Sequence, residues 1–147
     1  MGALAGGGMM EKFSYLIAPF LAWLVAGSLK FLINSIRAGK LAFGLIGYGG
    51  LPSNHSAIVS STAALVALKV GIDSPAFGVA LTLAFIVLLD ANSLRQQVGK
   101  HAVALNRLTS GQGTFPALRE RMGHTKFEML AGVLVGVLVA LLVDGMV

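Results

Sequence analysis

Four apolar runs, separated by polar residues, are the feature that most restricts how this chain can fold. They cover about residues 13–32, 57–71, 77–89 and 129–143. A helix needs roughly 20 apolar residues to cross a bilayer, so we expect the two shorter middle runs to tilt or to lean on neighbours. The sequence is 56% hydrophobic and 12% charged, whereas soluble domains are about 25% charged. It therefore predicts an all-α, polytopic membrane bundle with about four transmembrane helices.

The length of 147 residues predicts one integral membrane domain over residues 1–147, with residues 1–10 disordered or vector-derived. Residues 72–75, Ile-Asp-Ser-Pro, predict a tight turn that starts a helix. Residues 93–126 form the long polar stretch of the sequence. We expect it to be an interfacial connection with one helix over about 94–108 and a second, short helix over about 115–122.

Basic residues concentrate in two of the connections. Nine of the eleven Lys and Arg residues lie in residues 30–54 and 93–126, which follow the first and third runs. Connections separated by two crossings share one side of the membrane, and the positive-inside tendency makes that side cytoplasmic. The net charge of +5 does not form a soluble basic face, so we expect no nucleic-acid partner. The absence of cysteine excludes disulfides and thiolate catalysis.

Two cations stand at the end of the first run. Lys30 and Arg37 are seven residues apart, close to two helical turns, so both project from one helix face. An ammonium and a planar guanidinium together suit phosphate oxygens. The alternative is that both side chains snorkel to the interface and only set the topology.

A glycine-rich loop, GGLPSNHSA at residues 49–57, leads into the second run. Ser53 or Asn54 can cap the helix that begins there, and the free backbone amides at a helix start attract anions. His55 lies in the first turn of that helix. The alternative is an ordinary capped helix with a surface histidine.

Two acidic residues lie next to possible partners. Asp90 ends an apolar run and precedes Arg95 by five residues, and an ionisable group near the bilayer core marks a functional hypothesis. Asp90 could instead cap the following helix. His124 and Glu128 are four apart, on one helical face, where the carboxylate can fix the tautomer of the imidazole. The alternative is an exposed interfacial pair.

Together these pieces resemble the type-2 phosphatidic acid phosphatase superfamily, which also includes the vanadium haloperoxidases. The shared order is Lys-x6-Arg, then Pro-Ser-x-His, then an Arg, then His-x3-acid followed by Leu-Ala-Gly. The likeness runs from about residue 29 to residue 143, through KFLINSIR, GGLPSNHSA, LLDANSLRQQVGKHAVALNRL and GHTKFEMLAGVLVG. The chain is most similar to a small, divergent membrane branch of the superfamily.

The chain departs from the usual signatures. Ala38 stands in place of a proline, Asn54 in place of a glycine and Leu94 in place of a serine. The third signature is usually Ser-Arg-x5-His-x3-Asp, but here 28 residues separate Arg95 from His124.

A rival alignment keeps the usual spacing with His101, which follows Arg95 after five residues. It puts Leu105 where the aspartate belongs, with Asn106 one position later. His124 is preferred because an acidic residue and LAGVLVG follow it as the pattern requires.

The resemblance implies phosphomonoester hydrolysis of a lipid or polyprenyl phosphate through a phosphohistidine. In that scheme His124 is the nucleophile, Glu128 orients it, and His55 protonates the leaving alcohol. The implied phosphate-binding residues are Lys30, Arg37, Arg95, Ser53 and Asn54, and the second choices for the site are His101, Asp90 and Asn106. No metal or other cofactor is implied, and vanadate would act as a phosphate mimic.

Other functions remain open from sequence. The split third signature suggests a phosphate- or lipid-binding membrane protein without turnover, and Asp90 suggests a small transporter subunit; haloperoxidase activity is the weakest option. Gly132 and Gly136 form a small-x3-small pattern that lets helices approach closely. It serves packing within the chain or a homodimer, and the small number of spans favours a homo-oligomer. The expected partners are therefore the bilayer, a lipid substrate and a second copy.

Overall fold

The computed structural model describes residues 9–43, 50–110 and 116–147, and these residues form helices and connections with no strand. Within them the helices are α1 (Met9–Ala38), α2 (Asn54–Val70), α3 (Pro75–Leu89), α4 (Arg95–Thr109) and α5 (Lys126–Gly145). A π-helical turn, Asp90–Leu94, joins α3 to α4. The predicted all-α membrane bundle is confirmed.

Three stretches of the described chain are long and apolar enough to cross a membrane: Phe13–Ala38, Pro75–Thr109 and Lys126–Gly145. The second of these runs through α3, the π turn and α4. Helix α2, which corresponds to the second of the four predicted spans, has only 17 residues and packs against α1, α3 and α5. It is therefore the inner helix of the bundle, and contacts with these three helices stabilise it despite its short length.

Helix starts follow the local capping chemistry. The Ser74 hydroxyl accepts the Phe77 N–H at 3.1 Å and Pro75 begins α3, which confirms the predicted turn. The Ser53 hydroxyl caps α2 in the same way. Helix α1 begins at Met9, so it includes the last two residues of the segment 1–10 that was predicted to be disordered or vector-derived; residues 1–8 lie outside the described residues.

The predicted short helix over 115–122 is wrong for residues 116–122, which are not helical; residue 115 lies outside the described residues. The reason is tertiary. The Leu118 N–H donates to the Asn106 side chain at 2.8 Å, so this segment satisfies backbone groups against α4 instead of against its own turns.

Helices α2 and α5 meet along the small-residue pattern. A Cβ added at Gly132 would meet the Ser53 carbonyl oxygen, and one added at Gly136 would meet the Ser60 hydroxyl. The Ser60 hydroxyl also lies 2.6 Å from the Ser56 carbonyl and 3.3 Å from the Val133 carbonyl. The glycine pattern is thus used inside the chain, and a homo-oligomer, which stays a prediction, would need another face.

The two ends of the bundle differ. At one end Lys69 Nζ pairs with Asp144 Oδ1 at 3.6 Å, which ties the end of α2 to the end of α5. At the other end, the late part of α1, the start of α2, the first residue of α4 and the segment before α5 surround a common space. Large hydrophobic side chains on the outer faces of α1, α3 and α5 are exposed, as expected for helices that face lipid.

Candidate active site

A cavity of about 760 Å³ lies where these helix ends meet. The cavity is lined by Lys30 of α1, His55 of α2, Arg95 at the end of the π turn and His124 of the segment before α5. Arg119 adds a third cation, and no carboxylate of the described residues lines the cavity. The site therefore favours an anionic ligand.

His124 is held by the start of α5. Glu128 forms a capping box with Thr125, in which the Thr125 N–H donates to Glu128 Oε2 at 3.0 Å. The same carboxylate oxygen lies 3.2 Å from His124 Nδ1. Because a carboxylate can only accept, Nδ1 carries the hydrogen in this pair and Nε2 keeps its lone pair.

His124 is buried, with only 6% of the residue exposed. Burial is the main reason that the pKa of His124 lies below its usual value, and the positive charges of Lys30 and Arg95 lower it further. The hydrogen bond to Glu128 raises that pKa and partly opposes burial. The balance keeps His124 neutral at neutral pH, the state that a nucleophilic imidazole needs.

His55 faces His124 across the site. The two ring centroids are 6.0 Å apart, with ring planes at 59°. His55 Nδ1 and Asn54 Oδ1 are buried, and neither finds a hydrogen-bond partner among the described residues. Buried polar atoms are almost always paired, so these two atoms of the first turn of α2 are available to a polar ligand or to water in the cavity.

Arg95 is fixed by the π turn. Its N–H donates to the Asp90 carbonyl, five residues back, where an α-helix would use the fourth. Its Nε contacts Asp90 Oδ2 at 3.0 Å. This contact uses Nε, so the terminal nitrogens of the guanidinium are left to reach an anion. The carboxylate of Asp90, which gave rise to the transporter hypothesis, thus serves as the partner of Arg95.

The π turn also joins the two halves of the split third signature. The Ala91 carbonyl accepts the His124 N–H at 2.9 Å, and Gln96 Nε2 donates to the His124 carbonyl at 3.2 Å. Gly123 adopts φ +84°, and a Cβ there would come within 2.9 Å of Gln96 Cγ, so this turn requires glycine. Residues on both sides of Arg95 therefore hold the backbone of His124.

Two predicted phosphate-binding residues do not line the cavity. Arg37 is exposed in the last turn of α1, about 10 Å along the axis beyond Lys30 at 1.5 Å per residue. The Ser53 hydroxyl accepts both the N–H and the hydroxyl of Ser56, at 3.3 and 3.0 Å. The Ser53 N–H donates to the Glu128 carbonyl at 2.9 Å, so its polar groups are engaged between α2 and α5.

The second-choice residues also have other surroundings. His101 is exposed on α4 and is absent from the cavity wall. Asn106 bonds to the returning segment at Leu118 and Glu120. Of the two histidines that compete for the third signature, the structure brings His124 to Arg95 and His55.

Several lining residues were missed from the sequence. Trp23, Gly27, Lys30 and Asn34 lie on one face of α1 and line the cavity together; their helical spacing could have identified the face once Lys30 was chosen. Trp23 lines the cavity and is 52% exposed, so the cavity opens beside α1 to the outer surface of the bundle. No spacing signal pointed to Arg119, because it reaches the site through a returning segment.

Comparisons with known proteins identify the family of this chain. The family model described as the Divergent PAP2 family matches residues 12–139. The chain belongs to the Divergent PAP2 family. It is also 32% identical to a Bacillus subtilis (strain 168) protein described as "Uncharacterized membrane protein YuiD", over 86% of this chain and 90% of that relative. No solved structure matches the chain. The expected divergent branch is confirmed, and the chain is an integral membrane protein of a phosphatase-like family.

Proposed function

We propose that this protein is an integral membrane phosphatase that hydrolyses a lipid or polyprenyl phosphate through a phosphohistidine. One observation carries the proposal: a single cavity is lined by two histidines and by cations at its polar end, with an apolar wall beside them. One of the histidines, His124, is oriented by a carboxylate through Nδ1. This arrangement supplies a nucleophile, an acid and charge stabilisation, the parts that phosphoryl transfer requires.

In the first step Nε2 of His124 attacks phosphorus, and the N–P bond forms as the P–O bond to the alcohol breaks. His55 gives its proton to the leaving oxygen. The guanidinium of Arg95 and the ammonium of Lys30 stabilise charge on the phosphoryl oxygens. Glu128 stabilises the positive charge that the His124 ring gains as the N–P bond forms.

In the second step water attacks the phosphorus of the phosphohistidine. His55, now neutral, takes a proton from that water as the N–P bond breaks, and His124 returns to its neutral form. Inorganic phosphate leaves, and both histidines are ready for another cycle. No metal ion enters either step, because cationic side chains provide the positive charge; this absence stays a prediction.

The shape of the cavity supports a lipid substrate. Along α1 the lining changes from Trp23 and Leu24, which are 52% and 57% exposed on the outer surface, to Lys30 and Asn34. The eleven helical steps from Trp23 to Asn34 span about 16.5 Å. A lipid chain can therefore leave sideways past Trp23 into the bilayer while its phosphate lies against Lys30.

We also propose that the site faces the cytoplasm, because the cationic lining residues lie at the same end of the bundle as most other basic residues. Since the chain contains no cysteine, the variant His101→Cys gives a single exposed thiol on α4, the helix that begins at Arg95. A membrane-impermeant maleimide should label it in inverted vesicles and not in intact cells. Labelling in intact cells would contradict the orientation.

The test of the activity is phosphate release from detergent-solubilised phosphatidic acid, phosphatidylglycerol phosphate and polyprenyl mono- and diphosphates. We expect His124→Ala and His55→Ala to abolish release, while the matched control His101→Ala, which changes an exposed histidine outside the cavity, keeps it. Activity that survives His124→Ala would overturn the scheme. Vanadate binding that depends on Arg95, without release from any substrate, would instead favour a phosphate-binding protein without turnover.

A further inference from the structure

Within the polar connection between Arg95 and His124, α4 and residues 116–122 form an ordered arm. Helix α4 leads away from the π turn, and residues 116–122 return beside it. The Asn106 side chain holds this return: its Oδ1 accepts the Leu118 N–H at 2.8 Å and its Nδ2 donates to the Leu118 carbonyl at 2.9 Å. Nδ2 also contacts Glu120 Oε1 at 2.9 Å. The arm is therefore fixed in register along α4.

Arg119 lies between the two residues that Asn106 holds, and it lines the cavity. Its Nε donates to the Arg121 carbonyl at 3.2 Å, which fixes the base of the guanidinium. Close packing sets the spacing of the arm as well, since a Cβ added at Gly99 of α4 would meet the Glu120 carbonyl oxygen at 2.5 Å. The arm thus delivers one defined cation to the site.

Arg119 occupies the outer part of the cavity. Lys30 and Arg95 are half-buried, whereas Arg119 is exposed although it shares their cavity wall. The inner cations accompany the two histidines, which leaves the outer one beside the part of a ligand that is not transferred. A guanidinium forms paired hydrogen bonds with phosphoryl oxygens, so it suits a second phosphoryl group there.

This inference rests on the proposed function and extends it to the substrate. We propose that Arg119 is a substrate-binding residue that contacts a second phosphoryl group, next to the one held between His55 and His124, and that Asn106 is its positioning residue. The preferred substrate class is then a lipid diphosphate. The arm that splits the third signature has a specific use, which is to bring a cation that the uninterrupted signature does not contain.

The test measures binding of inorganic phosphate and inorganic pyrophosphate to the purified, detergent-solubilised full chain by titration calorimetry. We expect pyrophosphate to bind more tightly than phosphate. Arg119→Ala should weaken pyrophosphate binding about tenfold, the scale of one charge-assisted contact, and should weaken phosphate binding much less. The affinity of Arg119→Lys for pyrophosphate should lie between those of the parent and Arg119→Ala. Arg107 is an exposed arginine of α4 outside the cavity wall, so Arg107→Ala should bind pyrophosphate as the parent does.

The positioning role of Asn106 has a separate readout. Asn106→Leu should raise KM for a lipid diphosphate with little change in kcat, and should leave KM for the corresponding monophosphate unchanged. If Asn106 acts through Arg119, Asn106→Leu with Arg119→Ala should show no further loss beyond Arg119→Ala alone. If the Asn106→Leu protein does not fold, the assignment of Arg119 is decided by comparing Arg119→Ala and Arg119→Lys with the parent.

The outcomes separate the two proposals. If the parent does not prefer pyrophosphate, or if Arg119→Ala weakens both anions equally or neither, the assignment of Arg119 is wrong, whatever the activity. If pyrophosphate binding depends on Arg119 but the parent releases no phosphate from any lipid, the phosphatase proposal fails and the binding assignment stands.

Discussion

Glu128 gives the sharpest test of the proposed chemistry, through the variant Glu128→Gln. The glutamine keeps the shape of the side chain and removes its charge. In the parent, Glu128 Oε2 contacts His124 Nδ1 at 3.2 Å and the Thr125 N–H at 3.0 Å. The two side chains of the His124–Glu128 pair are only 7% and 17% exposed, so water screens this charge weakly.

The size of the effect follows from the charge that His124 gains when its Nε2 bonds to phosphorus. A hydrogen bond to a charged group contributes about 1.5–3 kcal/mol. The distance of 3.2 Å is longer than the optimum for such bonds, which favours the lower part of that range, about 1.5–2 kcal/mol. At roughly 1.36 kcal/mol per tenfold, kcat should fall about 10- to 30-fold, with KM nearly unchanged.

The pH profile of Glu128→Gln should shift in a defined direction. Burial keeps the pKa of His124 below its usual value and Glu128 raises it, so removal of the charge lowers that pKa further. The nucleophile must be neutral, and the acid limb of kcat/KM reports its titration in the free enzyme. That limb should lie below about pH 6.5 in the parent and at still lower pH in the variant.

The assay is steady-state phosphate release from a soluble short-chain lipid phosphate between pH 4.5 and 8. Asp144→Asn is the matched control, since it neutralises a carboxylate of α5 that pairs with Lys69 at the opposite end of the bundle. It should leave kcat and the acid limb in place. If Glu128→Gln kept kcat within about twofold of the parent and did not move the acid limb, the role given to Glu128 would be refuted.

Three further predictions concern the frame of the site. Asp90→Asn should lower kcat/KM, because Arg95 loses the contact at 3.0 Å that orients it. The free energy of unfolding should change by less than about 1 kcal/mol, since both side chains are more than a third exposed. An unchanged kcat/KM in the release assay would contradict this prediction. Gly136→Ala should lower the free energy of unfolding by about 1–3 kcal/mol, which would appear as a lower midpoint of thermal unfolding in detergent. Gly145→Ala should leave that midpoint unchanged, because there is open space around its Cβ position. Trp23 is the single tryptophan, so its fluorescence can be followed directly. A lipid phosphate with a brominated acyl chain should quench this fluorescence more than brominated phosphatidylcholine at equal concentration. Equal quenching would argue against a lipid chain beside Trp23.

Much of the fold could be predicted from the sequence because it depends on short-range rules. Apolar runs long enough for helices predicted the membrane bundle, and Ser74 before Pro75 predicted the start of α3. The pairing of His124 with Glu128 depends on a spacing of four residues, which one helical turn brings together. The structure adds the capping box of Thr125, a further local device at the same helix start.

Other features depended on the packing of distant segments. Lys30 and Arg37 lie on one helix, but only Lys30 reaches the cavity, because the neighbouring elements meet α1 at that height. The polar groups of Ser53 are engaged by the contact of α2 with α5, which no local pattern encodes. Arg119 enters the site through a segment that was predicted to be helical.

The sequence by itself determined that this is a helical membrane protein with the local parts of the candidate site, since helix spacing, capping and apolar length act within a few residues. Only the tertiary structure decided which parts meet. His124 is joined to Arg95 across 28 intervening residues because the π turn directs the Arg95 N–H to Asp90 and the Ala91 carbonyl accepts the N–H of His124. That contact arises from the satisfaction of one buried backbone group by another far along the chain, and a linear reading of spacings cannot reveal it.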